Sequence, residues 1–310
     1  MNPWGLSRPA SSTKKENEWW AADNATGYST LYYVNQTGTA NVAPLAVTIL
    51  PAGGAGAGSP TGTANNPSNN NFAFVTLDGT IQNWNAGQKP ASPGKGCYEC
   101  HVNTTTIMVN NSAAGASYQG LTIARNATSK AYTYYAANNN GGVEAYDAAS
   151  FAPVSLPPGG FTDRRIPSTY APAGIQAIGA KIYVTYNAIA GEGTGYVDAF
   201  NTNGKLLRRF ETGSFNQPWG VALAPSNFGV FTGALLIGNT GSGWIGAYNA
   251  TSGAFLGFLN DSTGNPITIP GLWGIEFGDG NVRSGPTNVL YFNAGGTKMN
   301  TGVFGAISAN

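Results

Sequence analysis

The amino-acid sequence predicts an all-β protein, a six-bladed β-propeller of four-stranded blades in which residues 1–310 form a single domain. Three observations carry that prediction. A unit of about 50 residues recurs along the chain, and periods of that size build propellers or solenoids. Each unit divides into short runs of aromatic and β-branched residues bounded by Gly, Asn and Asp, the pattern of successive hairpins. No long stretch carries the apolar period of a helix.

Each unit opens on a glycine that follows Pro or a bulky residue: Pro3-Trp4-Gly5, Pro60-Thr61-Gly62, Tyr118-Gln119-Gly120, Pro172-Ala173-Gly174, Pro218-Trp219-Gly220 and Leu272-Trp273-Gly274. The glycines are 57, 58, 54, 46 and 54 residues apart. A short first strand follows each of them (GLSRP, GTANN, GLTIAR, GIQAIG, GVALAP, GIEFG). The second strands read Trp19 to Asp23, Phe74 to Asp78, Tyr134 to Asn138, Tyr183 to Asn187, Leu235 to Asn239 and Leu290 to Asn293. After a Gly-containing turn come the third strands STLYYV, GTIQNW, GGVEAY, GYVDAF, GWIGAY and GVFGAI. Fourth strands are expected over Leu45 to Leu50, Thr105 to Val109, Ala152 to Leu156, Leu206 to Phe210 and Phe255 to Leu259. The sixth unit stops after its third strand, so its blade lacks an outer strand in this chain. The expectation is that an upstream segment or another chain covers that edge, because an open edge strand is a template for pairing.

Only 9% of the residues are charged, against ~25% in ordinary soluble domains. The net charge is +1, and no basic patch suits nucleic acid or an anionic membrane. No apolar run is long enough to span a bilayer. A surface made polar by amides and hydroxyls suits an exported protein, periplasmic, cell-surface or extracellular, or one that packs against copies of itself as a homo-oligomer or filament. Sequons for N-glycosylation start at Asn24, Asn35, Asn103, Asn110, Asn126, Asn249 and Asn260.

One motif stands apart from the repeat. The chain has two cysteines and one histidine, and all three lie in Cys97-Tyr98-Glu99-Cys100-His101. Cys-x-x-Cys-His is the attachment signature of c-type haem: two thiols form thioethers to one porphyrin, and the imidazole ligates its iron. In that reading Cys97 and Cys100 hold the haem, His101 is the proximal ligand and Tyr98 packs on the ring. Two other readings stay open: a disulfide or redox pair with His101 a bystander, and a metal site. The surrounding QKPASPGKGCYECHVNTTT reads as loop, whereas a redox pair normally opens a helix. No further Cys or His completes a structural zinc set.

The motif falls in a long connection of blade 2, an insert over residues 86–104 between the third and fourth strands. It is too short to enclose a porphyrin, so a redox partner protein or a neighbouring copy is expected to cover the second face. In-chain distal ligands are Met108, on the following strand where alternation is expected to bury it, and Met299, in the turn 295–302 on the opposite face of the propeller. The alternatives are an amine, a ligand from another chain, or an open position.

Asp23, Asp78, Asn138, Asn187, Asn239 and Asn293 recur where second strands end. They either make the turns or form a ring that binds Ca²⁺ through oxygens. Trp4, Trp219 and Trp273 either pack between blades or line a mouth where sugars stack. The carboxylates Glu144, Asp147, Asp198 and Glu276 lie in different blades and cannot be paired from the sequence. With His101 committed, no histidine remains for a nucleophile triad.

The segments NPWGL, PWGVALAP with the following LLIGN, GLWGIEFG, LYFNAGG and GVFGAI resemble the uncharacterised propeller proteins associated with PEP-CTERM bacterial surface sorting. The resemblance runs from Asn2 to Ile307 and is most specific over residues 216–308. It implies a propeller fold, export, and a segment upstream of NPWG; the haem signature is not part of the family pattern. The functions consistent with all this are an exported mono-haem cytochrome in extracytoplasmic electron transfer, a peroxidase-like enzyme with an open iron position, a structural surface or filament subunit, and a haem-free glycan-binding propeller.

Overall fold

Residues 1–9, 17–24, 26–35, 38–85, 103–191, 193–210, 213–298 and 301–309 are described in a computed structural model of the chain. They form six antiparallel sheets arranged as blades around an axis. Blade 1 is β1 (Pro3–Ser7), β2 (Trp19–Asp23), β3 (Tyr28–Val34) and β4 (Ala40–Thr48). Blade 2 is β5 (Pro60–Asn65), β6 (Phe72–Thr76), β7 (Thr80–Trp84) and β8 (Thr106–Asn110). Blade 3 is β9 (Tyr118–Arg125), β10 (Tyr132–Asn138) and β11 (Gly142–Asp147). Blade 4 is β12 (Tyr170–Ile178), β13 (Lys181–Ala188), β14 (Gly195–Asn201) and β15 (Leu206–Arg209). Blade 5 is β16 (Pro218–Leu223), β17 (Ala234–Asn239), β18 (Ile245–Asn249) and β19 (Phe255–Phe258). Blade 6 is β20 (Leu272–Phe277), β21 (Val289–Ala294) and β22 (Val303–Ser308).

The innermost strands β1, β5, β9, β12, β16 and β20 each touch the next, and β20 returns to β1, so the ring closes. In every blade the ladder between first and second strand shifts register at the opening motif, as at Pro3/Leu6 and Pro218/Val221. Such a bulge bends the strand and frees its backbone from the ladder. The repeat glycines sit at these bulges because the next blade's backbone lies against them. A Cβ on Gly62 would come within 2.5 Å of Leu121 N, one on Gly120 within 2.8 Å of Ala173 O, and one on Gly220 would strike Trp273 O.

The core lies between blades rather than inside one. Each of the six blade interfaces has its own apolar cluster, for example Trp20, Phe72, Phe74 and Trp84 between blades 1 and 2, or Leu236, Ile245, Leu272 and Leu290 between blades 5 and 6. Because the second and third strands are covered by blades on both sides, they read as nearly continuous buried runs: β2, β6 and β17 are buried throughout.

Several strand bounds differ from the sequence reading, β10 and β13 starting two residues early at Tyr132 and Lys181 and β18 two residues late at Ile245. The second strand of blade 2 starts at Phe72 rather than Phe74, and Asp78 lies in the turn that follows it. β4 starts at Ala40, five residues before the expected Leu45. In blade 3 the expected fourth strand, Ala152 to Leu156, is reduced to a bridge between Tyr146 and Pro153 and a bond from Val154 N to Ala145 O. Pro153, Pro157 and Pro158 remove the donors that a ladder needs there. β22 forms the outer edge of blade 6, as expected.

Candidate functional site

Cys97, Tyr98, Cys100, His101 and Met299 lie outside the described residues, and the structure describes the platform from which their connections spring. All inner strands run the same way along the axis, so β7 carries the chain to the face on which Ser7 and Asn65 also end. It stops at Trp84, only 4% exposed and in ring contact with Trp20 at 4.8 Å.

The return is clamped to the neighbouring blade. Thr48 N, on the outer strand of blade 1, donates to Asn103 O at 2.6 Å, and Thr105 N donates back to Thr48 O at 3.0 Å. Beneath this bridge the fully buried Gln82 takes the amide N–H of Leu50 (3.0 Å) and the hydroxyl of Thr105 (2.5 Å), and donates to Leu50 O (2.5 Å). The 86–102 segment therefore leaves and re-enters the propeller at the seam of blades 1 and 2.

Met108 is 42% exposed on β8, contrary to the expectation that alternation buries it. The partly buried positions of this edge strand are Ile107 and Val109. Met108 faces outward, three residues beyond the clamp at Thr105. β21 ends on the face opposite the one at which β7 ends, and Met299 itself lies outside the described residues.

The recurrent Asp and Asn residues bond nearby turns and neighbouring blades. Asn293 accepts from Gly274 N at 2.6 Å and donates to Gly5 O at 3.0 Å, tying blade 6 to blade 1. Asn239 accepts from Asn216 N at 2.9 Å, Asn138 from Ser117 N at 3.0 Å, and Asp78 from Ala52 N at 2.6 Å. Asp23 is fully buried and accepts from Thr30 Oγ1 at 2.6 Å, while its Oδ1 has no hydrogen-bond partner. Burial pushes its carboxyl up to about 6, with the Thr30 bond acting in the opposite sense. These contacts are turn and seam chemistry, and among the described residues no three of His, Cys, Asp or Glu gather as a metal-ion site.

Trp4, Trp219 and Trp273 meet at the axis on the face where the second strands end. Trp4 and Trp273 stack at 3.9 Å, and Trp219 meets Trp273 edge-on at 5.9 Å. They pack against one another and Ala173, with Trp219 and Trp273 buried. Of the two readings, packing describes them.

Each carboxylate that could not be paired from the sequence has a partner. Glu276 lies 3.4 Å from Arg8 across the blade 6–blade 1 seam, and burial raises it to about 7 against the opposing pull of Arg8. Asp198 bonds Arg209 at 3.1 Å and is pushed up to about 6 by burial, the Arg209 contact opposing the rise. Arg209 also holds Asp163 at 2.8 Å. Glu144 accepts from Tyr118 OH (2.6 Å), Tyr146 OH (2.5 Å) and Asn138 Nδ2 (2.7 Å). Asp147 accepts the backbone N–H groups of Ala149 and Ser150.

One feature was not legible beforehand. A cleft of about 510 Å³ opens on the flank of blade 5, lined by Trp244, Phe255 and Phe258 together with Ser214, Asn216 and Ser242. Its residues come from the segment before β16, the β17–β18 turn and β19, and each alone reads as ordinary strand or turn sequence. The sequence reading places Trp244 inside the third strand GWIGAY, whereas β18 begins at Ile245 and the indole sits in the preceding turn.

No protein-family model matches the chain. It is similar to three uncharacterised proteins of Acanthamoeba polyphaga mimivirus. It is 37% identical to protein R648 over 126 residues, which is 37% of this chain and 31% of that one. It is 32% identical to protein L690 over 152 residues, 46% and 39% of the two chains. It is 29% identical to protein R640 over 216 residues, 65% and 37%. The matches thus span between 31% and 39% of the length of these relatives. Among solved structures the chain superposes on one from a nidogen/laminin complex with a TM-score of 0.55 and 12% identity, covering 90% of this chain and 86% of that one. It superposes on the Dos1 propeller with a TM-score of 0.50 and 11% identity, covering 95% and 68%. These similarities establish the β-propeller fold.

Proposed function

We propose that this propeller is an exported carrier of one covalent c-type haem, held on the 86–102 connection of blade 2 and used for extracytoplasmic electron transfer. The observation that carries the reading is that every cysteine and the only histidine of the chain fall within five residues, in the order the attachment chemistry requires. The donor set suits the group: two thiols three positions apart hold the ring by thioethers, and the adjacent imidazole ligates the iron. When bound, haem supplies reversible one-electron chemistry, with a potential set by its ligands and burial.

The propeller's own residues support this role as a rigid platform. Gln82, Thr48 and Thr105 fix where the connection re-enters the fold. The exposed Met108, on the strand leading away from that point, is the in-chain candidate for the sixth iron ligand. Among the strand carboxylates, Asp198, Glu276 and Glu144 are engaged by Arg209, Arg8 and paired tyrosines. A redox partner or a neighbouring copy then covers the outer face of the haem. The test is mass spectrometry and absorption spectroscopy on protein from its native source or from a host that matures c-type cytochromes. Cys97→Ser/Cys100→Ser protein serves as the control.

A further inference from the structure

We propose that the cleft on blade 5 is a binding site for a neutral, gluco-configured saccharide, with Trp244 as its stacking platform. The inference is independent of the haem reading, since it concerns another blade and other residues.

Of the seven tryptophans, Trp244 alone is classed as exposed, at 37%. Its exposure is not looseness. Trp244 Nε1 donates to Thr268 Oγ1 at 3.0 Å, Phe258 meets the ring edge-on at 5.1 Å, and the backbone oxygen accepts from Asn239 N at 2.9 Å. The indole is therefore held in one orientation before any ligand arrives, and a ring already fixed loses little entropy on binding. Phe255 and Phe258 are partly buried, 5.0 Å apart, and extend the apolar wall.

Among the described residues, the polar groups at the rim are neutral. Asn216 is exposed, and its side-chain amide has no protein partner among the described residues; Ser214 and Ser242 stand beside it. None of the described residues lining the cleft is charged. The volume of about 510 Å³ lies within the ~300–1,000 Å³ of small-ligand sites.

This combination selects a class of ligand. Uncharged lining gives nothing to an anionic or cationic group that must shed its water. A purely apolar ligand would leave the Asn216 amide without a partner, whereas Ser214 Oγ already bonds Tyr248 OH and Ser242 Oγ accepts from Trp244 N. A pyranose with equatorial hydroxyls offers both halves of the match. Its C–H faces lie flat on an indole, and its hydroxyls project sideways to amides and hydroxyls at the rim. Tryptophan suits such a ligand because it presents a large rigid face with few rotors to freeze.

The experiment titrates the intact chain with cellohexaose, laminarihexaose and N-acetylchitohexaose, by calorimetry and by acrylamide quenching of tryptophan fluorescence. Because Trp244 is the exposed indole, bound saccharide is expected to shield it and lower the quenching. Trp244→Ala is expected to weaken binding at least ten-fold, Trp244→Phe to retain part of it, and Asn216→Ala to weaken it several-fold, each measured below the variant's own melting transition. Failure of all three probes to bind at millimolar concentration overturns the proposal. So does a folded Trp244→Ala protein that binds as tightly as the parent.

Discussion

Arg8 Nη1 lies 3.0 Å from Asp279 Oδ2, joining the residue that follows the first strand of the chain to the loop after the first strand of its last blade. The same guanidinium reaches Glu276 at 3.4 Å and Phe277 O at 3.3 Å, and lies over the Trp19 ring at 5.6 Å. Around it, Trp19 Nε1 donates to Ser284 O, Glu18 pairs with Arg283, and Phe304 stacks on Tyr32. Blades 1 and 6 are separate sheets that share no strand, and these side chains stitch the ring shut.

Arg8→Ala is therefore expected to destabilise the whole propeller, because it strands two carboxylates at a partly buried seam. Breaking a buried pair from one side costs ~3–5 kcal/mol, and the partial exposure of this cluster lowers the expectation to about 2–3 kcal/mol. Denaturant unfolding checks it, with the exposed Arg164→Ala as a neutral control.

The glycine belt makes a sharper contrast. Gly220→Ala is expected to cost about 2–3 kcal/mol or more, since the new methyl strikes the backbone oxygen of Trp273 in the next blade and neither strand can yield alone. Gly213→Ala, in open space, is expected to change stability by less than about 0.5 kcal/mol. Paired melting curves decide between a packing role for the repeat glycine and mere turn preference.

Gln82→Ala is expected to loosen the seam of blades 1 and 2, because the Leu50 N–H and the Leu50 carbonyl lose their partner together and the Thr105 hydroxyl keeps only Thr48 O. At ~1–3 kcal/mol for each buried group left unpaired, and with some relaxation, the loss is about 2–4 kcal/mol. Amide hydrogen exchange at Leu50 should accelerate more than at Val75 in the blade core.

The buried acids give a pH signature. Asp23 and Asp198, both held near 6, and Glu276, near 7, bind protons more tightly folded than unfolded. Their contribution to stability is full below the unfolded values of roughly 4 and is lost as pH rises through 6 to 7. Asp163 and Asp279, held low, act in the opposite sense and only as pH falls below about 4. The melting temperature is thus expected to fall from pH 5 to pH 8, and Asp23→Asn to flatten part of that slope.

Most of the architecture was legible because a propeller repeats one local solution. Pro3-Trp4-Gly5 and its five counterparts mark the bulges where blades abut, and an aromatic or β-branched second strand follows each. What was not legible depends on closure of the ring or on single residues. Arg8 and Asp279 are 271 positions apart, so no local pattern pairs them. Pro153 erased a strand that the apolar pattern alone suggested. Met108 faces outward because the register of an edge strand is set by its single neighbour, β7, and not by its own composition. The cleft at Trp244 draws on three separate segments, and aromatic residues in a β protein look like core until their neighbours are known. For Cys97–His101 the reverse holds: the haem chemistry we propose rests on five consecutive residues of sequence, and the described fold adds only where the connection re-enters, at Asn103 and Thr105.

The central claim is tested most directly by an absorption spectrum of the purified protein from its native source, before and after dithionite, with the mass of the intact chain measured on the same sample. A haem-bearing chain is expected to show a Soret band, a sharp α band on reduction, and a mass increase of one haem that survives denaturation and disappears in Cys97→Ser/Cys100→Ser protein. A chain without a Soret band, with Cys97 and Cys100 found as free thiols or as a disulfide, would contradict the claim.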